Sequence, residues 1–295
     1  MFINSEVSKR MIWFELPDSE TNMPINIRLL ELMEAYPEFF YENVRIEAVY
    51  GCPPFCVWNG GCIHLPGQCM SPKELERIFA LYSNYHLSYR LTFTNRLLRK
   101  EHLYDTYGNA IAKAGNMRGN SVIVATDVMQ KYIHENYSNY SIIQSICRVY
   151  SDITDIHEAL EKYFVCIPVR MNRQWEELSK LPYPENVIIL ANEYCPVSDC
   201  EYCQEHYESF NRFSLYQESD HMRCRYQQLR QQMDMQGEFP THNIFPEDYE
   251  KYEQLGIVHF KLNGRASTPE QLVTLYCKYF VKPQYQKNVT KLLMI

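Results

Sequence analysis

Residues 121–134 read Ser-Val-Ile-Val-Ala-Thr-Asp-Val-Met-Gln-Lys-Tyr-Ile-His. The first six residues form a short apolar run rich in β-branched side chains, which is typical of a strand covered on both faces of a parallel sheet. The next eight residues follow a helical pattern. One strand followed by one helix is the unit from which α/β folds are built, and this chain repeats it.

The same unit appears on both sides of this stretch. Further strands are predicted at residues 12–16, 44–50, 88–94, 141–147, 163–169, 186–191 and 257–262. Helical patterns are predicted at residues 25–40, 105–116, 127–134, 155–161 and 172–180, and after Asp199. Ser71-Pro72-Lys73-Glu74 and Thr268-Pro269-Glu270 predict two more helix starts, because each places a capping hydroxyl before a proline and a glutamate.

Strict alternation of eight strands with eight helices favours one α/β domain, a (β/α)8 TIM-type barrel over residues 1–295. An open, doubly wound sheet is the alternative. Two connections are longer than ordinary loops, at residues 51–70 and 205–256. Both come after predicted strands, the second and the seventh. In a barrel they are loop insertions on the C-terminal face, where active sites are built.

Composition narrows the class of protein. The chain has 29 Lys and Arg against 36 Asp and Glu, a formal net charge of −7. RNA therefore remains a possible partner that the net charge does not support, because sequence-independent binding to nucleic acid depends on basic residues. Apolar runs stay short of the roughly 18 residues that a membrane span needs. The start has no apolar signal core, so we expect a cytoplasmic protein.

Cysteine is the residue type that points to chemistry. The chain has 11 cysteines, and disulfides are rare in the cytoplasm, so the clustered ones need another explanation. Cys195, Cys200 and Cys203 follow the seventh predicted strand within nine residues. Thiolates at such spacing suit zinc or an iron–sulfur cluster. The sequence therefore predicts a metal centre on the C-terminal face.

A metal centre of this kind needs a fourth ligand. Cys52 is the first choice, because it follows the second strand and so shares the barrel face with Cys195. Cys56 and Cys224 are the alternatives. The predicted metal-binding set is thus Cys52, Cys195, Cys200 and Cys203. Cysteines in apolar strand or helix patterns are instead predicted to be core residues: Cys147, Cys166 and Cys277.

Two stretches resemble a known family. Asn192-Glu193-Tyr194-Cys195 resembles the Asn-Glu-x-Cys segment of the collagenase-like peptidases, family thirty-two of the peptidases of unknown mechanism. Residues 260–265, Phe-Lys-Leu-Asn-Gly-Arg, resemble that family's Phe-Lys-Ile-Glu-Gly-Arg segment, with Asn263 where glutamate is common. The resemblance implies a barrel. It also implies the iron–sulfur branch akin to anaerobic ubiquinone-hydroxylation proteins, in which one early cysteine joins three later ones.

That layout matches the predicted cysteine set and favours a 4Fe–4S cluster over zinc. The resemblance implies an enzyme that supports oxygen-independent hydroxylation of a small or RNA-borne substrate. Its peptidase activity is not supported here, since no protease site is recognisable in the sequence. Glu193, beside the cysteines, is the candidate acid or base. The alternative is that its carboxylate binds backbone N–H groups and holds the turn.

A positive pocket is also predicted. Arg148 and Arg170 follow the fifth and sixth strands, and Lys261 and Arg265 follow the eighth. Parallel barrel strands end on one face, so these side chains should meet there. Arginine binds carboxylate and phosphate through two parallel hydrogen bonds. We therefore expect a small anionic substrate or cosubstrate near the metal.

Two other functions stay open. Residues 195–203 differ by one residue from the C-x3-C-x-aromatic-C motif of radical S-adenosylmethionine enzymes, although that motif normally follows the first strand of a barrel. A non-catalytic, zinc-binding scaffold or partner subunit is the third hypothesis. Gly-rich nucleotide loops, a Gly-x-Ser-x-Gly elbow and a His-Glu-x-x-His motif are all absent from the sequence.

Overall fold

Eight parallel strands close into a barrel in chain order, because β1 pairs with both β2 and β8. The strands are β1 (Ile12–Pro17), β2 (Val44–Gly51), β3 (Ser88–Phe93), β4 (Ser121–Val124), β5 (Ser141–Gln144), β6 (Phe164–Cys166), β7 (Val187–Leu190) and β8 (His259–Lys261). The prediction of a (β/α)8 barrel is confirmed. Each observed strand overlaps a predicted one, and most end earlier than predicted.

The structure is a computed structural model that describes residues 10–17, 19–60, 69–195, 197, 201–218, 226–236, 238–265 and 267–294, without the side chains of 201–203, 227, 234 and 235. The helices are α1 (Met23–Ala35), α2 (Pro72–Asn84), α3 (Thr106–Ala114), α4 (Asp127–Asn136), α5 (Ile153–Leu160), α6 (Trp175–Leu178), α7 (Glu201–Ser214), α8 (Gln227–Gln236), α9 (Tyr249–Gln254), α10 (Pro269–Phe280) and α11 (Gln286–Leu293). Among these helices, none is long and apolar enough to span a membrane.

Both predicted helix starts are capping boxes. The Glu74 backbone N–H donates to the Ser71 hydroxyl at 3.3 Å, and the Ser71 N–H donates to the Glu74 carboxylate at 2.7 Å. Thr268 and Gln271 repeat this arrangement at 3.3 and 2.9 Å. Each box satisfies backbone N–H groups that have no partner within the helix, so it fixes where the helix begins.

Two helix predictions differ from the structure. The pattern at 25–40 ends as an α-helix at Ala35, because Pro37 disfavours helical backbone at the residue before it. The pattern at 172–180 forms only the short helix α6. The connection at 205–256, which is longer than an ordinary loop, contains most of α7 together with α8 and α9, in line with the helices predicted after Asp199. Helix formation there gives backbone groups partners that a long loop would lack.

The barrel interior is divided into two halves. The half lined by β4 to β7 is apolar and contains Ile123, Ile143, Cys166, Ile188 and Leu190. Branched apolar side chains are the usual filling of such barrels. The half lined by β8, β1, β2 and β3 is filled instead by charged side chains.

These charged side chains form one connected network. Glu15 is fully buried and accepts hydrogen bonds from Arg90 and, at 3.1 Å, from the Lys261 ammonium group. The other guanidinium nitrogen of Arg90 lies 3.2 Å from a Glu47 carboxylate oxygen. The same Glu47 oxygen lies 3.0 Å from Nδ1 of His259. Two carboxylates therefore balance two cations inside the barrel.

Burial and pairing act on the pKa values of this network in opposite directions. Burial raises the pKa of Glu47, but the charge of Arg90 and the His259 hydrogen bond outweigh it, so its pKa is lowered. Burial lowers the pKa of Lys261, and the Glu15 carboxylate only partly opposes this. Each charge thus depends on its partner to stay ionised in the interior.

Removing one partner should expose this dependence. Glu15→Gln leaves Arg90 and Lys261 without their shared carboxylate, so we expect a loss of about 3–5 kcal/mol in the free energy of unfolding. Urea denaturation at neutral pH measures this loss. The matched control is Glu176→Gln, which breaks the exposed pair with Lys180 (2.7 Å; side chains 85% and 64% exposed). That change should cost less than about 1 kcal/mol. Equal costs would contradict the role of the network.

The network also predicts a pH dependence. A carboxylate whose pKa is lowered in the folded state stabilises the fold above its unfolded pKa, ordinarily 4.5, and loses that contribution as the pH falls through the folded value. The cost of Glu47→Gln should therefore be full near pH 7 and should shrink below about pH 4.5. Urea denaturation of both proteins between pH 7 and about pH 3 tests this. A cost that stays constant or grows on acidification would refute it.

Candidate functional site

The C-terminal ends of the strands and the residues that follow them form one face, which we call the mouth. Five polar side chains that define it come from β2, β3, β7 and β8 or their following loops: Cys52, Thr92, Glu193, Asn263 and Arg265. The polar half of the interior lies beneath Cys52, Thr92 and Arg265. In barrels of this kind, the mouth is where substrates and cofactors bind.

Cys52 and Cys56 lie side by side in the loop after β2. Both are buried, with exposed fractions of 4% and 2%. The loop is anchored by Trp58, which is fully buried and donates its indole N–H to the His102 carbonyl at 2.8 Å. The Asn59 backbone N–H closes a turn on the Cys56 carbonyl at 3.0 Å. Both thiols are thus held at fixed positions.

Burial raises the pKa of the Cys52 thiol well above its ordinary value. The neighbouring Cys56 and the carboxylate of Glu20 raise it further, while the charge of Arg265 lowers it. Cys52 is therefore a neutral thiol when only these groups surround it. A bound metal cation would replace its proton, because coordination deprotonates a thiol outright.

Arg265 connects the ends of three strands. Its guanidinium group lies 3.4 Å from the Thr92 hydroxyl on β3 and 5.8 Å from the ring centre of Tyr50 on β2. Thr92 in turn donates to the side-chain oxygen of Asn59 at 3.3 Å. The Tyr50 hydroxyl is fixed by the Leu262 carbonyl at 2.6 Å. Arg265 thus lies among polar groups that can orient a ligand. It is also close enough to Cys52 for its charge to act on the pKa of that thiol.

Glu193 holds the turn that carries Cys195. Its carboxylate accepts the backbone N–H groups of Tyr194, at 2.7 Å, and of Cys195. Asn263 donates its side-chain amide to the same carboxylate at 3.3 Å. Burial raises the pKa of Glu193 overall, although these hydrogen bonds and the charge of Arg230 lower it. The structure therefore gives Glu193 the turn-holding contacts, and its role as acid or base stays a prediction.

A second set of contacts supports this turn from behind. The Asn243 side chain binds both the N–H (2.8 Å) and the C=O (3.2 Å) of Glu193. The Asn243 carbonyl accepts from Arg173 at 2.6 Å, and Arg173 makes two hydrogen bonds to Asp248, at 2.7 and 3.1 Å. An unbroken chain of contacts thus runs from an ion pair to the cysteine-bearing turn.

Helix α7 packs over the mouth on the side of β3. The Tyr207 hydroxyl donates to the Thr94 carbonyl, and its ring stacks on the guanidinium of Arg96 at 4.9 Å. Asn95 donates to the Asn211 carbonyl at 3.1 Å. A side chain at Gly60 would lie 2.2 Å from the Asn211 amide oxygen, so only glycine permits this approach. Residues from a distant part of the sequence thereby complete one wall.

The predicted metal set is described only in part. Cys52 and Cys195 are both buried at the mouth, with exposed fractions of 4% and 7%. Cys200 and Cys224 lie outside the described residues, and Cys203 is described as part of α7 but without its side chain. Within the described residues, no three His, Cys, Asp or Glu side chains are grouped to hold a metal ion. Convergence of the four sulfurs therefore stays a prediction.

The four predicted cations occupy different surroundings. Lys261 points into the barrel, where it pairs with Glu15 and lies 3.4 Å from the Tyr50 ring centre. Arg148 pairs with the exposed Asp127 at 2.5 Å. Arg170 is exposed in a short 3-10 helix. The structure brings Lys261 and Arg265 together around the Tyr50 ring, so Arg265 is the predicted cation best placed for a ligand at the mouth.

Sequence reasoning missed several residues of the mouth. Tyr50 and Thr92 read as ordinary strand residues, although their alternation along β2 and β3 could have assigned them to the interior. Tyr207 carried no such signal, because it reaches the mouth from α7. Cys166 and Cys277 are buried as predicted, whereas Cys147 is half-buried.

Comparison with known proteins yields a likeness of fold. No family model and no curated protein matches the sequence. The solved structure of the U32 peptidase Mk0906 is similar, with a TM-score of 0.53 and 13% sequence identity, over 91% of this chain and 98% of that one. Identity this low carries the fold alone. The chain therefore has a fold like that of a U32 peptidase.

Proposed function

We propose that this chain is a barrel enzyme that holds a 4Fe–4S cluster at its mouth and acts on a small anionic substrate. The observation that supports this most directly is the placement of the described cysteines. Cys52, Cys56 and Cys195 follow β2 and β7 and are buried at the mouth. Cysteines supplied by separate chain segments are the donor set that an all-cysteine cluster uses.

The residues present fit such a group in chemistry. Their donors are thiols, the soft ligands that iron–sulfur clusters and zinc prefer. The thiols lie in rigid surroundings, with the loop after β2 anchored by Trp58 and the turn after β7 held by Glu193. We assign Cys52 as the fourth ligand, because it directly follows the end of β2 and is buried at the mouth. A bound cluster would supply electron transfer.

The remaining mouth residues would bind and orient the substrate. Arg265 would bind a carboxylate or phosphate group, since its planar guanidinium donates two parallel hydrogen bonds. Thr92 and Asn59, which are hydrogen-bonded to each other, would fix the position of that group. Arg170 would add positive charge from the segment after β6, and Arg148, which pairs with Asp127, would add less. Oxygen-independent hydroxylation of the substrate is the reaction that the family resemblance favours.

Peptidase activity does not belong to this proposal. The name of the similar structure describes that protein, and a likeness at 13% identity carries over its fold only. Two alternatives remain as outcomes of a metal analysis. Zinc without sulfide would indicate the zinc-binding scaffold, and a cluster bound by only three cysteines would indicate the radical S-adenosylmethionine type.

Metal content tests the proposal. After purification without oxygen, the protein should be brown and contain iron and sulfide in equal amounts, about four of each per chain. Cys195→Ser and Cys203→Ser should each lose most of the iron, because each removes a ligand from the set. Cys52→Ser and Cys56→Ser, compared with each other, identify the fourth ligand, and we expect the larger loss for Cys52→Ser.

Cys277→Ser is the matched control for these variants. Cys277 is also a buried cysteine, but it packs between α10 and α11 with its sulfur 3.3 Å from the Thr290 hydroxyl. The Cys277→Ser variant should retain its iron. Equal loss in Cys277→Ser, or a wild-type protein without iron, would overturn the proposed cluster.

A second experiment separates the roles of Glu193. Glu193→Gln retains an oxygen that accepts the backbone N–H groups of Tyr194 and Cys195, whereas Glu193→Ala removes it. If Glu193 positions the turn, iron content should fall by half or more in Glu193→Ala and stay near the wild-type level in Glu193→Gln. Iron analysis measures the cluster content of each variant. Far-ultraviolet circular dichroism shows whether each variant is still folded. Equal iron in both variants would show that the turn does not need this carboxylate.

A further inference from the structure

A separate cavity lies beside the mouth, between the loop after β3 and the carboxyl end of α7. Its volume is about 460 Å3, within the range of small-molecule sites. Basic side chains dominate its wall. Three arginines and a histidine face one glutamate and one glutamine: Arg96, Arg99, Arg212, His102, Glu101 and Gln217. Such a wall is unusual in a chain of net charge −7, because it concentrates positive charge in one enclosure.

His102 is held in place on two sides. Its Nδ1 accepts the Arg99 backbone N–H at 2.9 Å, and its carbonyl accepts the Trp58 indole N–H at 2.8 Å. Since Nδ1 is an acceptor, the neutral ring carries its proton on Nε2, which is then a donor for a ligand. Because the hydrogen bond to Nδ1 already fixes the orientation of the ring, the side chain loses little rotational freedom when it binds a ligand.

The arginines are anchored to different degrees. Arg96 is held by the Gln204 side-chain oxygen at 2.6 Å, by an ion pair with Glu208 at 3.6 Å and by stacking on Tyr207, and its side chain is only 11% exposed. Arg99 and Arg212 are exposed, and no ion pair among the described residues joins either of them to a carboxylate. The cavity therefore combines one fixed cation with two whose charge is not neutralised.

The end of α7 brings the last wall into position. Tyr216 takes a positive φ of 57°, which terminates the helix, and the Gln217 backbone N–H folds back onto the Arg212 carbonyl at 3.0 Å. Gln217 thus lies next to Arg212 on the cavity wall. Its amide and the Glu101 carboxylate are suited to hydroxyl groups, which donate to one and accept from the other.

We propose that this cavity binds a phosphorylated small molecule, with a dianionic phosphate monoester among the arginines and His102. Guanidinium groups match phosphate oxygens in a bidentate manner, and three of them around one cavity favour two negative charges over one. Glu101 and Gln217 would bind the hydroxyl groups of an attached sugar. The volume suits a sugar phosphate or a mononucleotide, and the acidic surface elsewhere does not favour a long nucleic acid.

Calorimetric titration of the full chain with ribose 5-phosphate, and with ribose as control, tests this. We expect ribose 5-phosphate to bind with a Kd below about 1 mM and ribose to bind at least about tenfold more weakly. Arg99→Ala and Arg212→Ala should each weaken ribose 5-phosphate binding about tenfold to a hundredfold, because each removes a charged hydrogen-bond donor. Arg118→Ala, which removes an exposed arginine outside the cavity, should leave it unchanged.

Several results of these titrations would contradict phosphate binding in this cavity. No binding of ribose 5-phosphate, equal binding of ribose, or an equal loss in Arg118→Ala would overturn it. Tighter binding of a single-stranded RNA oligonucleotide that is weakened by the same two variants would assign the cavity to RNA and refute the small-molecule class. We expect the iron content to be the same in Arg99→Ala and Arg212→Ala as in the wild type, because both arginines lie outside the proposed cluster, so this test is independent of the cluster.

Discussion

A buried balance of charge determines the shape of the mouth. Glu15 joins Arg90 and Lys261 inside the barrel, and Glu47 joins Arg90 and His259. The pairs cross from β8 to β1, β2 and β3. Because an unpaired charge costs far more in the interior than in water, these strands tolerate little movement relative to one another. The ends of these strands, and the side chains that follow them, are therefore also restricted in their relative movement.

The positions of the mouth residues depend directly on this buried charge network. Arg90 lies two residues before Thr92, and Lys261 lies four before Arg265, so the network fixes where each mouth side chain leaves its strand. The β7 side uses another device. There, Glu193 holds the turn of Cys195, and Asn243 connects that turn to Arg173 and thence to an ion pair. Preorganisation of this kind is what a metal or ligand site requires.

Features of the fold and the mouth could be predicted where they depend on residues that are neighbours in the sequence. The strand at 121–124 and the capping boxes at Ser71 and Thr268 depend on neighbouring residues, so the sequence revealed them and the barrel that they imply. The interior ions were missed, because Glu15 lies in an apolar run and its partners are on other strands. The wall made by Tyr207 was missed for the same reason. Arg265 was found through a motif, but its neighbours Thr92 and Tyr50 were not.

The proposed cluster requires cysteines from the segments after β2 and β7 to converge at the mouth. Anomalous X-ray scattering at the iron edge, from crystals grown without oxygen, measures this most directly. We expect one cluster of iron sites, with one iron about 2.3 Å from the Cys195 sulfur and a different iron about 2.3 Å from the Cys52 sulfur. An iron peak bound elsewhere, a zinc signal alone, or thiols that remain apart with no anomalous peak between them would contradict it.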